Sequence, residues 1–206
     1  MEPLDSVNRI LARKPYLALL FRSEADPARV FRFETAKDGE KIPCEIREER
    51  SLALCSRRGP LEEARRSLES LGPLGGREIL WLEGLGNPRI ASLLSERLHQ
   101  GQILIILEAD LALARFLCQS RDLLSLLERP GVHLFAGPTM EEALYAYLDA
   151  IPGDGLKGLR QIKHLPSIKR NESYYVEQRK RLTVMLKARM SDLLTRFEFE
   201  KIWLAN

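Results

Sequence analysis

Long apolar runs are missing from this 206-residue chain: nowhere do about 18 apolar residues follow one another, so nothing reads as a membrane span. The first residues, MEPLDSVNRILARKP, carry acids and a proline where a secretion signal needs a basic and then an apolar stretch, so a cytoplasmic protein is expected. Cysteine is scarce. Cys44, Cys55 and Cys118 are scattered, with no C-x-x-C spacing, which reads as reduced thiols and excludes a disulfide scaffold. His99, His133 and His164 are equally dispersed and none forms a zinc-hydrolase pair, so no metal site is expected. The serines lack a G-x-S-x-G context, and no nucleophile stands beside a base in sequence, so no catalytic residue is assigned. Internal repeats and low-complexity tracts are absent too.

Charge of one sign is nearly balanced overall, at a formal +3, but it is unevenly spread. Residues 151–206 hold 12 of the 32 Lys and Arg and only 6 of the 29 Asp and Glu. A basic helix face in solvent accounts for that excess, and Tyr174 and Tyr175 beside Lys169 and Arg170 read as packing residues. A nucleic-acid or phosphate partner for this basic tail ranks last among the readings.

Three segments follow from the patterning. Residues 1–60 open with a helix over 5–21, capped by Asp5 or Ser6 and broken by Pro15. A hairpin follows, Val30–Thr35 against Ile42–Ile46, around the Asp38-Gly39 turn, with a further strand over Ser51–Ser56. Residues 61–150 alternate short apolar strands (78–82, 102–107, 132–136) with amphipathic helices, the signature of a parallel sheet covered on both faces. The expected fold is therefore α/β and Rossmann-like, with a methyltransferase-like variant of that sheet. A small antiparallel unit precedes it. In 151–206, a Gly/Pro-rich linker (151–158) leads to a long helix over 171–205, whose apolar stripe comprises Tyr175, Leu182, Leu186, Met190, Leu193, Phe197 and Leu204. At about 1.5 Å per residue that stripe outruns its own domain, which predicts a second copy or a downstream domain as its partner.

One place invites a ligand. The first core strand ends in Glu83-Gly84-Leu85-Gly86-Asn87 and opens into a helix, where glycines let a ligand approach the backbone and free amides face an anion. Glu108, ending the next strand, with Asp110 two residues on, stands where an acid accepts ribose hydroxyls. The third glycine of G-x-G-x-x-G is missing, so a tight structural turn and a binding loop both remain open. Glu83 disfavours phosphate and fits S-adenosylmethionine better. A nucleotide, a nucleotide sugar or S-adenosylmethionine is thus the cofactor class to consider, held by Glu83, Gly84, Gly86, Asn87, Glu108 and Asp110.

Several blocks together resemble the N-terminal region of the motility accessory factor family, bacterial flagellin glycosyltransferases, and their 6-hydroxymethylpterin diphosphokinase-like relatives. Leu54-Cys55-Ser56-Arg57-Arg58-Gly59-Pro60-Leu61-Glu62-Glu63-Ala64 aligns with a family block, with Leu, Ser, Pro, Glu and Ala matching and Cys55, Arg58 and Gly59 departing from its His, Tyr and Asp. Gly84-Leu85-Gly86, Glu108-Ala109-Asp110, Asp122-Leu123-Leu124-Ser125-Leu126-Leu127 and Val132–Gly137 follow in family order, and Phe199–Asn206 resembles the junction to the family's second domain. The resemblance implies a non-catalytic Rossmann-like domain that positions or oligomerises a downstream catalytic domain, with a homodimer through 171–205 as one arrangement. A degenerate S-adenosylmethionine or nucleotide-binding domain is the alternative.

Overall fold

The computed structural model describes residues 3–22, 29–69, 71–76, 78–152 and 158–204, with side chains described within these stretches from 5 to 189. Pro15 does break the opening helix. Helix α1 (Pro3–Arg13) gives way to a 3-10 turn at Pro15–Leu17 and then a short α2 (Ala18–Arg22), because proline supplies no amide to continue the ladder. β1 (Val30–Thr35), β2 (Lys41–Arg47) and β3 (Arg50–Ala53) form the antiparallel sheet, in the order β1-β2-β3. Gly39, at φ +86°, closes the β1–β2 hairpin.

α3 (Pro60–Glu69) starts on its proline, and the Glu63 carboxylate accepts the Ser56 amide at 2.6 Å, tying helix to preceding loop. The core alternates as the sequence requires: β4 (Glu78–Glu83), α4 (Arg89–Glu96), β5 (Ile103–Glu108), α5 (Leu111–Leu117), α6 (Arg121–Leu127), β6 (Val132–Ala136) and α7 (Glu141–Ala150). β4, β5 and β6 are parallel, and every residue from Leu104 to Glu108 is buried, so both faces of β5 are covered.

A fourth strand was not expected. The stretch read as linker runs into β7 (Gly158–Lys163), parallel to β4 on the side away from β5, and the sheet order is β6-β5-β4-β7. Only Ile162 of β7 is buried, as befits an edge strand, so no apolar run announced it. Polar side chains fasten it instead: Arg160 donates to Glu78 at 2.8 Å and to the Leu71 and Pro73 carbonyls at 2.5 and 3.0 Å. Because the chain leaves β6 and returns beyond β4, the topological switch point lies at the carboxyl ends of β4 and β7.

The C-terminal part divides into α8 (Leu165–Arg170) and the long α9 (Glu172–Leu204). The first turns of α9 pack on the chain's own core: Tyr175 and Leu182 are buried, Leu186 is half-buried, and Tyr175 Oη accepts the Ala109 amide at 3.1 Å. Gln178 is fully buried between Tyr145 and Glu141 of α7, at 2.9 and 2.6 Å. The lower half of the expected stripe thus faces its own domain. Met190, Leu193, Phe197 and Leu204, on which the expectation of an external partner rests, lie outside the described side chains. No helix among the described residues is long and apolar enough to cross a membrane.

Charged groups join the layers. The buried Glu45 of β2 meets Arg29, Arg47 and Arg170 at 2.7, 2.9 and 2.5 Å, and Arg29 also meets Asp110 at 2.5 Å, locking the antiparallel sheet over the carboxyl end of β5. Burial pushes the Glu45 pKa upward, but the Arg47 hydrogen bond and the Arg170 and Arg29 charges outweigh it and hold it below the usual value. On the opposite flank, buried Lys14 donates to the carbonyls of Leu127, Arg129 and Val132 in the α6–β6 turn. Lys14→Met would leave all three carbonyls without their donor, and a cost of about 3 kcal/mol in urea unfolding is expected, since each orphaned buried acceptor costs about 1 kcal/mol or more. A loss under about 1 kcal/mol would show that water replaces the ammonium.

Candidate functional site

The six residues singled out in sequence do converge, on the carboxyl ends of β4 and β5. β4 carries its pairing one residue further, through the Gly84 amide to the Leu107 carbonyl at 2.8 Å, and the loop then turns at Gly84 (φ +88°) and Gly86 (φ +48°). Both angles are left-handed, which is the reason for glycine at both positions.

Glu108 holds the turn together from the next strand. One carboxylate oxygen accepts the Leu85 amide at 2.7 Å and the other accepts the Asp110 amide at 3.1 Å. Burial raises the Glu108 pKa and Asp110 adds to the rise, opposed by the amides of Leu85, Asp110 and Gly86. Asp110 in turn caps α5 through the Leu113 amide at 3.1 Å and pairs with Arg29. Asn87 accepts the Arg89 amide at 3.0 Å, and its amide nitrogen lies 3.6 Å from Cys55 Sγ. Glu83 is fully buried, accepts from Gln161 and faces Arg179 at 3.4 Å; burial raises its pKa against both partners. Each of the six is therefore engaged by the fold.

The segment that follows β7 fills the space a ligand would need. His164 continues the β4–β7 pairing, its amide donating to the Glu83 carbonyl at 2.8 Å, and its Nδ1 meets Ser167 Oγ at 2.7 Å. A Cβ built on Gly84 would lie 2.3 Å from Ser167 Cβ, and one on Gly86 would lie 2.1 Å from the His164 ring. The bare faces of both glycines are thus covered by protein. Reading 151–158 as linker hid this, because only β7 brings His164 and Ser167 to the loop. A signal was present in His164-Leu165-Pro166-Ser167, a helix start with proline in its first turn and His164 as the cap.

Beside this packed turn lies an open groove of about 1000 Å³ between α3 and the β7–α8 junction. Ser56, Arg58, Glu63, Arg66, Lys163 and His164 are among its walls. No group of three or more His, Cys, Asp or Glu side chains placed to hold a metal ion occurs among the described residues.

No family model, curated protein or solved structure matches the chain. The functional reading therefore rests on the residues themselves.

Proposed function

We propose that this chain is a non-catalytic, Rossmann-like accessory domain that positions or oligomerises a catalytic domain, in the manner that its resemblance to the motility accessory factor proteins implies. One observation carries the reading: the Gly84–Gly86 turn, where a Rossmann-like sheet receives its cofactor, is packed against His164 and Ser167 of the same chain. Glu108, the residue that would receive a ribose, instead binds the amides of Leu85 and Asp110. The switch point works as a structural joint between β4, β5 and β7. The three buried, unpaired cysteines accord with a reducing cytoplasm.

The competing reading is a degenerate S-adenosylmethionine-binding domain, and one titration separates the two. The melting temperature of the chain is expected to stay constant as S-adenosylmethionine is added. Occupancy at 100 times the dissociation constant would instead stabilise the fold by about 2.7 kcal/mol, a shift of several degrees. A shift of that size, lost in Glu108→Gln, would overturn the accessory reading.

A further inference from the structure

We propose that the groove between α3 and the β7–α8 junction binds a small phosphate ester bearing hydroxyl groups, in chemical class a sugar phosphate. At about 1000 Å³ it has the size of a small-molecule site, and it adjoins the carboxyl ends of β4 and β7, where open parallel sheets receive ligands. This goes beyond the accessory reading, which concerns the packed glycine turn, and does not depend on it.

Arginines such as Arg29, Arg89, Arg160 and Arg170 hold carboxylates within 3 Å. Arg58 and Lys163, both exposed on the groove walls, have no ion-pair partner among the described residues. The two carboxylates of the groove are already engaged, Glu63 by the Ser56 amide at 2.6 Å and Glu62 by Arg65 and Arg66 at 4.0 and 3.5 Å. Two exposed cations with no ion pair among the described residues, facing one concavity, attract a dianion, even though the Lys163 charge is also felt by the buried Glu83.

A second, independent feature points the same way. His164 is 5 % exposed and lines the groove, yet only one of its ring nitrogens is used. Nδ1 accepts the Ser167 amide at 3.4 Å and meets Ser167 Oγ at 2.7 Å, so the neutral ring carries its proton on Nε2. Burial lowers the His164 pKa to about 4 and keeps that neutral form at pH 7. Among the described residues Nε2 has no hydrogen-bond partner, and although the residue as a whole is buried this nitrogen is not shut off from solvent, so it is free to donate to an acceptor in the groove. The hydroxyls of Ser56 and Ser67 line the same space, and Leu165, 60 % exposed, offers an apolar wall. Hydroxyls and an apolar wall suit a sugar ring; Arg58 and Lys163 suit its phosphate.

The test is a titration of the isotope-labelled chain with glucose 1-phosphate, inorganic phosphate and glucose in separate arms, followed by amide chemical shifts. Glucose 1-phosphate should move the amides of Ser56, Gly59, Ser67 and His164 and bind more tightly than phosphate, with glucose alone silent. Arg58→Gln and Lys163→Gln, both at exposed positions, should each weaken that binding about tenfold. His164→Gln should weaken it as well. Phosphate binding as tightly as the sugar ester would overturn the assignment of class. Absence of any shift at these amides, or full binding retained in Arg58→Gln and Lys163→Gln, would overturn the site. Binding of S-adenosylmethionine would count against the accessory reading and leave this one standing.

Discussion

Gly86→Ala is expected to destabilise the chain by about 3 kcal/mol, and Gly84→Ala by more. Two costs combine at each position. The left-handed φ values, +48° and +88°, are strained for any residue with a Cβ, at about 1–2 kcal/mol. The added methyl then has nowhere to go, and overpacking adds about 1–3 kcal/mol. The two sites differ in what the methyl meets. At Gly86 it meets the imidazole of His164 at 2.1 Å, a side chain that a second substitution can remove. At Gly84 it meets Ser167 Cβ at 2.3 Å and His164 Cβ at 3.2 Å, atoms fixed to the backbone, so the segments must part. His164→Ala should therefore recover about 1 kcal/mol or more of the Gly86→Ala loss, read as the coupling in a double-mutant cycle, and recover little at Gly84. Urea unfolding of the parent, the three single variants and the two double variants makes the comparison, and the Gly86 cycle suffices should Gly84→Ala fail to fold. A loop kept open for a ligand would give the opposite result: only the φ penalty at Gly86 and no coupling to His164.

The sequence made the parallel core legible because its signals are strong. Ile103–Leu107 is apolar on both faces and Val132–Ala136 is apolar but for His133, as suits doubly covered strands, and Asp38-Gly39 marks its hairpin by turn chemistry alone. β7 was illegible for the converse reason: with Leu159 and Ile162 its only large apolar residues, it is held by Arg160 and by its pairing with β4, neither of which leaves a periodicity. Glycines after a strand look alike whether they admit a ligand or a neighbouring segment, and the choice is made by residues 78–83 positions away in sequence, His164 and Ser167. Glu108 is ambiguous in the same way, since a carboxylate at a strand end can accept from a sugar or from an amide. That Arg58 and Lys163 meet no carboxylate in an ion pair among the described residues is a property of the assembled surface that no local pattern encodes.

Acid should weaken the fold well above the range in which carboxylates titrate. His133 is buried between two tyrosines, Nδ1 meeting Tyr16 Oη and Nε2 meeting Tyr147 Oη, each at 2.8 Å, and burial together with the Lys14 charge lowers its pKa to about 4. His164, lowered by burial, lies at about 4 as well. An unfolded histidine takes its proton near pH 6.5, so between about pH 6.5 and 4 the unfolded chain binds more protons than the folded one. Stability from these two groups is complete above that window and declines as pH falls through it, by about 2 kcal/mol for each histidine between pH 7 and pH 5. Glu83 and Glu108 work in the other direction, because their raised pKa values let the folded state take up protons first, and they reduce the net loss. Replacing the histidines singly separates these contributions. In His133→Gln and in His164→Gln the decline between pH 7 and 5 should shrink by about 2 kcal/mol relative to the parent, although each variant is less stable at pH 7. The same decline in parent and variants would mean that neither imidazole is held neutral, and the Tyr16–His133–Tyr147 contacts would then have to include a charged ring.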